Sequence, residues 1–293
     1  MQGMNLPERI RASLTELEQQ GRIGAEEIRY IMAAVEEDSA EQFFLELLQG
    51  DIRFDNAAVA HRAKALGIAA DGKWIVYHIE TAYPEEAREL LGQIYSEPEK
   101  AVLADGGKNM LRLLHVPAQK KTAAQAKETA EQIVSMINTE LMEKVRVGYS
   151  DVANGPEELL RADREAARTL QIMRAFYEER LTAAYSSLGI GRLMYSLGTE
   201  DCEAFLEEYF GEKRKLNLSE EEQQTINKFF EKSLNISETA RDLFMHRNTL
   251  VYHLEKLQKK TGLDIRRFDD AMTLKLALLA ERYLETRDKE NGE

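Results

Sequence analysis

Cysteine is almost absent from this chain of 293 residues: Cys202 stands alone, which excludes an internal disulfide and any metal site built on clustered thiolates. With no histidine near it in sequence, Cys202 reads as a structural residue rather than a nucleophile. The five histidines show no metal-ligand spacing either. His61, His78 and His115 are dispersed, with no Ser, Cys or acidic partner fixed by spacing, and read as hydrogen-bonded structural groups. Long apolar runs are missing too. The longest, such as LALLA at 276–280, fall far short of the roughly 20 residues that span a bilayer. No charged-then-apolar signal opens the chain. The expectation is a cytoplasmic protein that does not enter a membrane, with apolar residues enough for two ordinary cores.

A basic excess is lacking as well, since the net charge is −13, yet the deficit is uneven. Residues 212–293 hold 16 Lys/Arg against 16 Asp/Glu, so the preceding 211 residues, with 23 against 36, carry all of it. Within 241–260 the bases Arg241, Arg247, Lys256, Lys259 and Lys260 face only Asp242 and Glu255, a local excess of three positive charges. An acidic body with one basic stretch argues against a general nucleic-acid coating protein.

That basic stretch lies in NISETARDLFMHRNTLVYHLEKL, residues 235–257. Its spacing predicts two short helices. Ser237 caps a first helix continued by Glu238–Phe244, with Ala240 small enough for close packing and Leu243 inward. A turn at Met245–Arg247 leads into a second, on which Leu250, Leu254 and Leu257 form an apolar stripe. Asn248, Thr249, Tyr252, Glu255 and Lys256 point away from the stripe, with Val251 and His253 on its flanks. Such a helix can offer donors and acceptors to base edges and phosphates in a major groove, and Arg247 stands at the end that enters first. A plain helical hairpin would show the same periodicity.

The run FMHRNTLVYHLEKLQKKTGLDI resembles the C-terminal helix-turn-helix of the PucR/CdaR family of bacterial transcriptional regulators. Phe244, His246, Arg247, Asn248, Thr249, Leu250, Tyr252, Leu254, Thr261, Gly262, Leu263 and Asp264 match the family pattern. The resemblance implies a DNA-binding surface of His246, Arg247, Asn248, Thr249, Tyr252, His253 and Lys256. The chain departs at Val251 and His253, where the family often carries Arg, so two positive charges are missing from that surface. An imidazole at 253 would allow a mildly pH-dependent contact with phosphate.

Upstream, helical periodicity over 4–20 and 25–49 carries stripes at Ile28, Ile31, Met32 and Val35 and at Phe43, Phe44, Leu47 and Leu48, which either cap the next domain or pair with a second subunit. A helix over 57–66, a strand over 74–80, a helix over 85–95, a hairpin turning at Asp105-Gly106-Gly107-Lys108, a helix over 123–142, a strand over 145–150 and a helix over 156–176 describe an α/β domain. FFLELLQGD, KWIVYHIE and VGYSDVANGPEELL resemble the family's central domain, a degenerate relative of the GGDEF cyclase fold. A working cyclase of that fold places an acidic pair in the hairpin to hold Mg²⁺. Here Gly106, Gly107, Lys108, Asn109 and Met110 stand in its place, and Glu80 alone ends the first strand. The expectation is no catalytic residue, no metal and no cofactor.

The segments 184–197 and 202–210 resemble the family's connecting helices, 211–217 is breaker-rich, Ser219 and Glu222 form a capping box, and 269–284 reads as a last helix with a frayed tail from Glu285. The fold class is therefore α+β multidomain: N-terminal helices over 1–55 that could dimerise, a degenerate GGDEF-like α/β domain with connecting helices over 56–211, and an all-α helix-turn-helix domain over 212–293. The resemblance implies a regulator that is not an enzyme. Its partners would be a double-stranded DNA operator, a second copy of the chain in a homodimer, and a small-metabolite effector. Two alternatives stay open: a nucleotide- or metabolite-binding signalling protein, or a protein-interaction module.

Overall fold

The computed structural model describes residues 13–17, 20, 22–24, 40–50, 57–66, 68, 72–95, 97, 100–117, 122–211 and 216–291. They fall into two compact units that divide at Leu188, with Arg174–Phe176 grouped with the second.

The first unit is a sheet with helices on both faces. Its centre is β1 (Lys73–Glu80), in which Trp74 to Ile79 are all buried. A continuous run of β-branched and aromatic residues is what a strand covered on both sides requires. β2 (Ala101–Asp105) and β3 (Met110–His115) form the expected hairpin, and β3 pairs antiparallel with β1. On its other side β1 pairs antiparallel with β4 (Arg146–Tyr149), which takes β6 (Thr182–Ala184) in parallel. The order is β2-β3-β1-β4-β6, with the two-residue β5 (Ala153–Asn154) against the start of β1. Neither β5 nor β6 is visible as an apolar run in the sequence.

Alternation along β1 assigns the faces. Trp74 and Val76, with Val102, Ala104 and Leu114, lie under α1 (Ala40–Gln49), α2 (Ala57–Ala65) and α5 (Leu159–Phe176). Ile75, Tyr77 and Ile79, with Leu111, Leu113 and Val147, lie under α3 (Pro84–Gly92) and α4 (Thr122–Leu141). The α1 stripe Phe43, Phe44, Leu47 and Leu48 belongs to the first face, with the Phe44 and Trp74 rings 5.3 Å apart. This part of the N-terminal helices caps the sheet; the stripe at Ile28, Ile31, Met32 and Val35 lies outside the described residues. Gly148 marks where β4 meets α5: a Cβ there would stand 2.9 Å from the Leu170 amide nitrogen and 3.0 Å from the Ala166 carbonyl oxygen. The helix expected from Pro156 begins as a single 3-10 turn, Pro156–Glu158, before α5.

The second unit is helical: α6 (Ile190–Phe210), α7 (Glu220–Glu231), α8 (Ile236–Asp242), α9 (Arg247–Thr261) and α10 (Phe268–Asn291). α6 kinks at Gly198, where φ is 85°, and packs along α10, with the Tyr195 and Tyr283 rings 5.4 Å apart. As a packing unit this body begins at Gly189, ahead of the position 212 at which the sequence places the DNA-binding domain. Residues 212–215 of the expected linker lie outside the described residues. One expectation is corrected: the last helix does not fray at Glu285 but runs to Asn291. Glu, Arg, Asp and Lys are compatible with helix, and no Gly or Pro interrupts the run before Gly292.

Candidate nucleic-acid interface

α7 is set by its first turn. Ser219 Oγ accepts from the Glu222 amide at 3.3 Å and Glu222 Oε2 accepts from the Ser219 amide at 2.9 Å, the reciprocal capping box expected from the sequence. Glu222 also receives Lys260 Nζ of α9 at 2.6 Å. Burial pushes the Glu222 carboxyl up, but Lys260 and the Ser219 amide outweigh it and hold the group below the usual carboxylate range.

The cap of α8 is Asn235, not Ser237. Its Oδ1 accepts from the amides of Ser237 and Glu238 at 3.0 and 3.1 Å, so the helix begins at Ile236, two residues early. Asn serves as well as Ser at an N-cap, and here the amide reaches two orphan donors at once. The helix ends at Asp242 in a left-handed turn: the Phe244 amide donates to Arg241 O at 3.1 Å and the Met245 amide to Ala240 O at 2.9 Å. That pair of bonds is a Schellman motif with Phe244, at φ 52°, in the position glycine usually takes. The turn is therefore Leu243–His246 rather than Met245–Arg247, and Arg247 is already the first helical residue.

His246 caps α9, its Nδ1 accepting from the Asn248 amide at 3.2 Å. At the far end Gly262, at φ 79°, closes the helix with its amide on Gln258 O at 2.8 Å. Between the caps Leu250, Leu254 and Leu257 are at most 1% exposed, and Thr239 and Ala240 of α8 are buried beside them in the domain. Fifteen residues at 1.5 Å each give a rod of about 22 Å.

The stripe fixes which side chains face outward. Arg247, Asn248, Thr249, Tyr252 and Lys256 are all exposed, Tyr252 at 66%. His246 is exposed, but its ring is engaged as the cap. His253 is half-buried and turned towards α7, its Nδ1 3.7 Å from Glu221 Oε1. Two further groups lie outside the surface that the resemblance implies. Lys259 is exposed, and helical spacing puts it on the same line as Asn248 and Tyr252. Phe244 is 98% exposed beside the start of α9.

Charge on this surface is arranged by its neighbours. Arg247, Lys256 and Lys259 form no salt bridge among the described residues, whereas Lys260 is held by Glu222. Of the two acids nearby, Asp242 is paired, 2.8 Å from Lys232 Nζ, whereas Glu255 stays exposed, 3.9 Å from an Arg266 that is itself anchored on Asp264 at 2.6 Å. The result is an exposed helix face with three cations that form no salt bridge among the described residues, one exposed acid, Glu255, and amide, hydroxyl and phenol groups between them. Such a face can bind phosphates by charge and present hydrogen-bonding groups to bases.

The hairpin of the first unit offers different chemistry. Gly106–Asn109 joins β2 to β3, with Gly107 at φ 92° and Asn109 at φ 59°. Asp105 Oδ1 accepts from the Gly107 amide at 2.9 Å, and Glu41 accepts the Asp105 amide at 2.9 Å and both Arg88 nitrogens at 3.0 Å. The acids beside the turn thus hold the turn itself. Glu80 stands 3.7 Å from Arg146. No group of three or more His, Cys, Asp and Glu placed to hold a metal occurs among the described residues.

His78, Arg112 and Asp163 make the buried polar cluster of this unit. Asp163 Oδ1 of α5 lies 2.6 Å from His78 Nε2 and 3.0 Å from Arg112 Nε. Burial pushes the Asp163 carboxyl up; the hydrogen bond and charge of His78, with Arg112, more than offset this and hold it below its usual range. His78 is the hydrogen-bonded structural histidine expected from sequence. Its partner, 85 residues away, was not.

Comparison with known proteins matches the same two parts of the chain. Residues 223–280 match the PucR C-terminal helix-turn-helix domain, and residues 49–172 match the GGDEF-like domain. The purine catabolism regulatory protein of Bacillus subtilis is 27% identical over 158 residues, 53% of this chain and 29% of that protein. The carbohydrate diacid regulator of Escherichia coli is 26% identical over 152 residues, 52% of this chain and 40% of that protein. The DNA-binding transcriptional activator AdeR of Bacillus subtilis is 22% identical over 251 residues, 82% of this chain and 59% of that protein. The chain thus spans less than two thirds of each of these relatives. No described helix is long and apolar enough to cross a membrane.

Proposed function

The chain belongs to the PucR/CdaR family of regulators, carrying its GGDEF-like and helix-turn-helix domains, and from that premise we propose that it is a sequence-specific DNA-binding transcriptional regulator. The observation that carries the reading is the outer face of α9. Asn248, Thr249 and Tyr252 stand between Arg247, Lys256 and Lys259, on a helix pinned from behind by three buried leucines. Relatives named for purine catabolism and for a carbohydrate diacid support control of a metabolic operon in response to a small metabolite. The chain acts as a homodimer, because one helix of this length reads few base pairs and two-fold pairing doubles the contacts on a palindromic site.

The central domain serves as scaffold and not as a cyclase. Lys108 and Asn109 stand where the cyclase fold needs acids, and the neighbouring Asp105 and Glu41 are engaged by the turn. This supports a non-enzymatic reading. Incubation with GTP and Mg²⁺ is expected to give no turnover.

The test is selection of genomic DNA fragments by the purified protein, with its mass measured by light scattering. Enrichment of a two-fold symmetric site bound by a dimer is the expected result. Recovery of fragments with no common sequence would overturn the regulator reading, and a monomer both free and on DNA would overturn the dimer.

A further inference from the structure

We propose that Phe244 is itself a DNA-contacting residue, whose ring packs on the apolar wall of the groove, on deoxyribose carbons and thymine methyls, where α9 enters. This rests on the regulator reading above. Phe244 is 98% exposed, the most exposed large apolar side chain among the described residues. It also holds a left-handed backbone at φ 52°, a conformation that glycine adopts freely and a Cβ-bearing residue does not. Gly262 fills the equivalent position at the end of α9. A phenylalanine that is exposed to water and conformationally strained, with no buried contact in return, is free to gain its contact in a complex where its surroundings suit the partner.

The surroundings identify that partner as a polyanion. Residues 243–254 contain no acid, Asp242 is covered by Lys232 at 2.8 Å, and Arg241 and Arg247 are exposed on either side in sequence. Met142 provides the contrast. It has the same φ of 52° and is 93% exposed, but Glu140 and Glu143 flank it and would repel a polyanion.

The experiment uses the full chain and a duplex selected from a random pool by the wild-type protein. Affinity at fixed salt and Tm are measured for wild type, Phe244→Gly, Phe244→Leu and Met142→Gly. Phe244→Gly is expected to raise Tm by a few degrees, by relieving the left-handed strain, while weakening binding about tenfold, the loss of roughly half the burial of one aromatic side chain. Phe244→Leu should retain most of the affinity, and Met142→Gly should raise Tm with affinity unchanged. Replacing thymine by uracil in the duplex separates the two apolar surfaces. Weaker wild-type binding assigns the methyl contact, whereas unchanged wild-type binding with weak Phe244→Gly binding assigns deoxyribose. Wild-type affinity in Phe244→Gly overturns the contact and leaves the regulator reading intact. A fall in Tm on Phe244→Gly overturns the argument from strain, and failure of the wild type to select any sequence removes both readings.

Discussion

Replacing Asp163 by alanine removes the one carboxylate that holds His78 and Arg112 inside the first unit. The three side chains are 13%, 5% and 21% exposed, so the imidazole would lose its acceptor where little water can replace it, and the guanidinium would keep its bond to the Asp105 carbonyl but lose its counter-charge. Breaking a buried ion pair from one side costs about 3–5 kcal/mol. Partial access to Arg112 lowers this to about 2–4 kcal/mol, a fall in Tm of about 5–15 °C for a body of this size. Asp163→Asn keeps the shape and one acceptor and should lose about half as much. The sign of the pH dependence follows from the lowered folded-state pKa of Asp163. Its contribution is present above the unfolded value of about 4 and is lost as pH falls through the folded one. The stability gap between wild type and Asp163→Asn should therefore close in acid. Trp74, the chain's only tryptophan, is fully buried in this unit, so urea unfolding followed by its fluorescence reads the right body. An Asp163→Ala variant as stable as wild type, or a gap that widens towards low pH, would refute the reasoning.

Other expectations concern charge and close packing. Lys256→Ala and Lys259→Ala should each weaken DNA binding similarly on all sequences and reduce the slope of log K against log[salt] by about 1 per subunit, measured by titration from low to moderate salt. Lys260→Ala should leave that slope nearly unchanged, because its ammonium is held by Glu222 at 2.6 Å; a full unit of change would show that Lys260 leaves Glu222 for phosphate. Gly148→Ala should destabilise the first unit by about 1–3 kcal/mol, since the added methyl meets α5 backbone at 2.9 Å. Unaltered unfolding in urea would mean that α5 can retreat from β4.

The elements with their own periodicity were legible in the sequence. β1 announces itself by five strand formers among the six residues 74–79, the hairpin by Asp-Gly-Gly, α7 by its capping box and α9 by three leucines at helical spacing. Resemblance added what periodicity could not, namely that the exposed side of α9 is a reading face. The remaining features are set by tertiary contact or by choices between equivalent residues. Asn235 and Ser237 are both good caps, and only the fold decides that Asn235 reaches two amides. β5 and β6 are two and three residues long and exist as strands only because β1 and β4 offer free edges. Asp163 carries no local sign that it will meet His78. Lys259 follows from the same wheel that assigned Tyr252, while Lys260 beside it is diverted by a carboxylate 38 residues earlier. Phe244 in a left-handed turn contradicts local propensity, and no sequence rule foresees that.

The most direct measurement is the affinity of the wild-type protein and an Arg247→Ala, Asn248→Ala variant for one selected fragment and its scrambled counterpart, at the same salt. Strong binding by the wild type to the selected fragment alone, with the preference abolished in a variant that remains fully folded, is the expected result. Equal affinity of both proteins for both fragments would mean that α9 reads no sequence and that the chain is not a regulator of this kind.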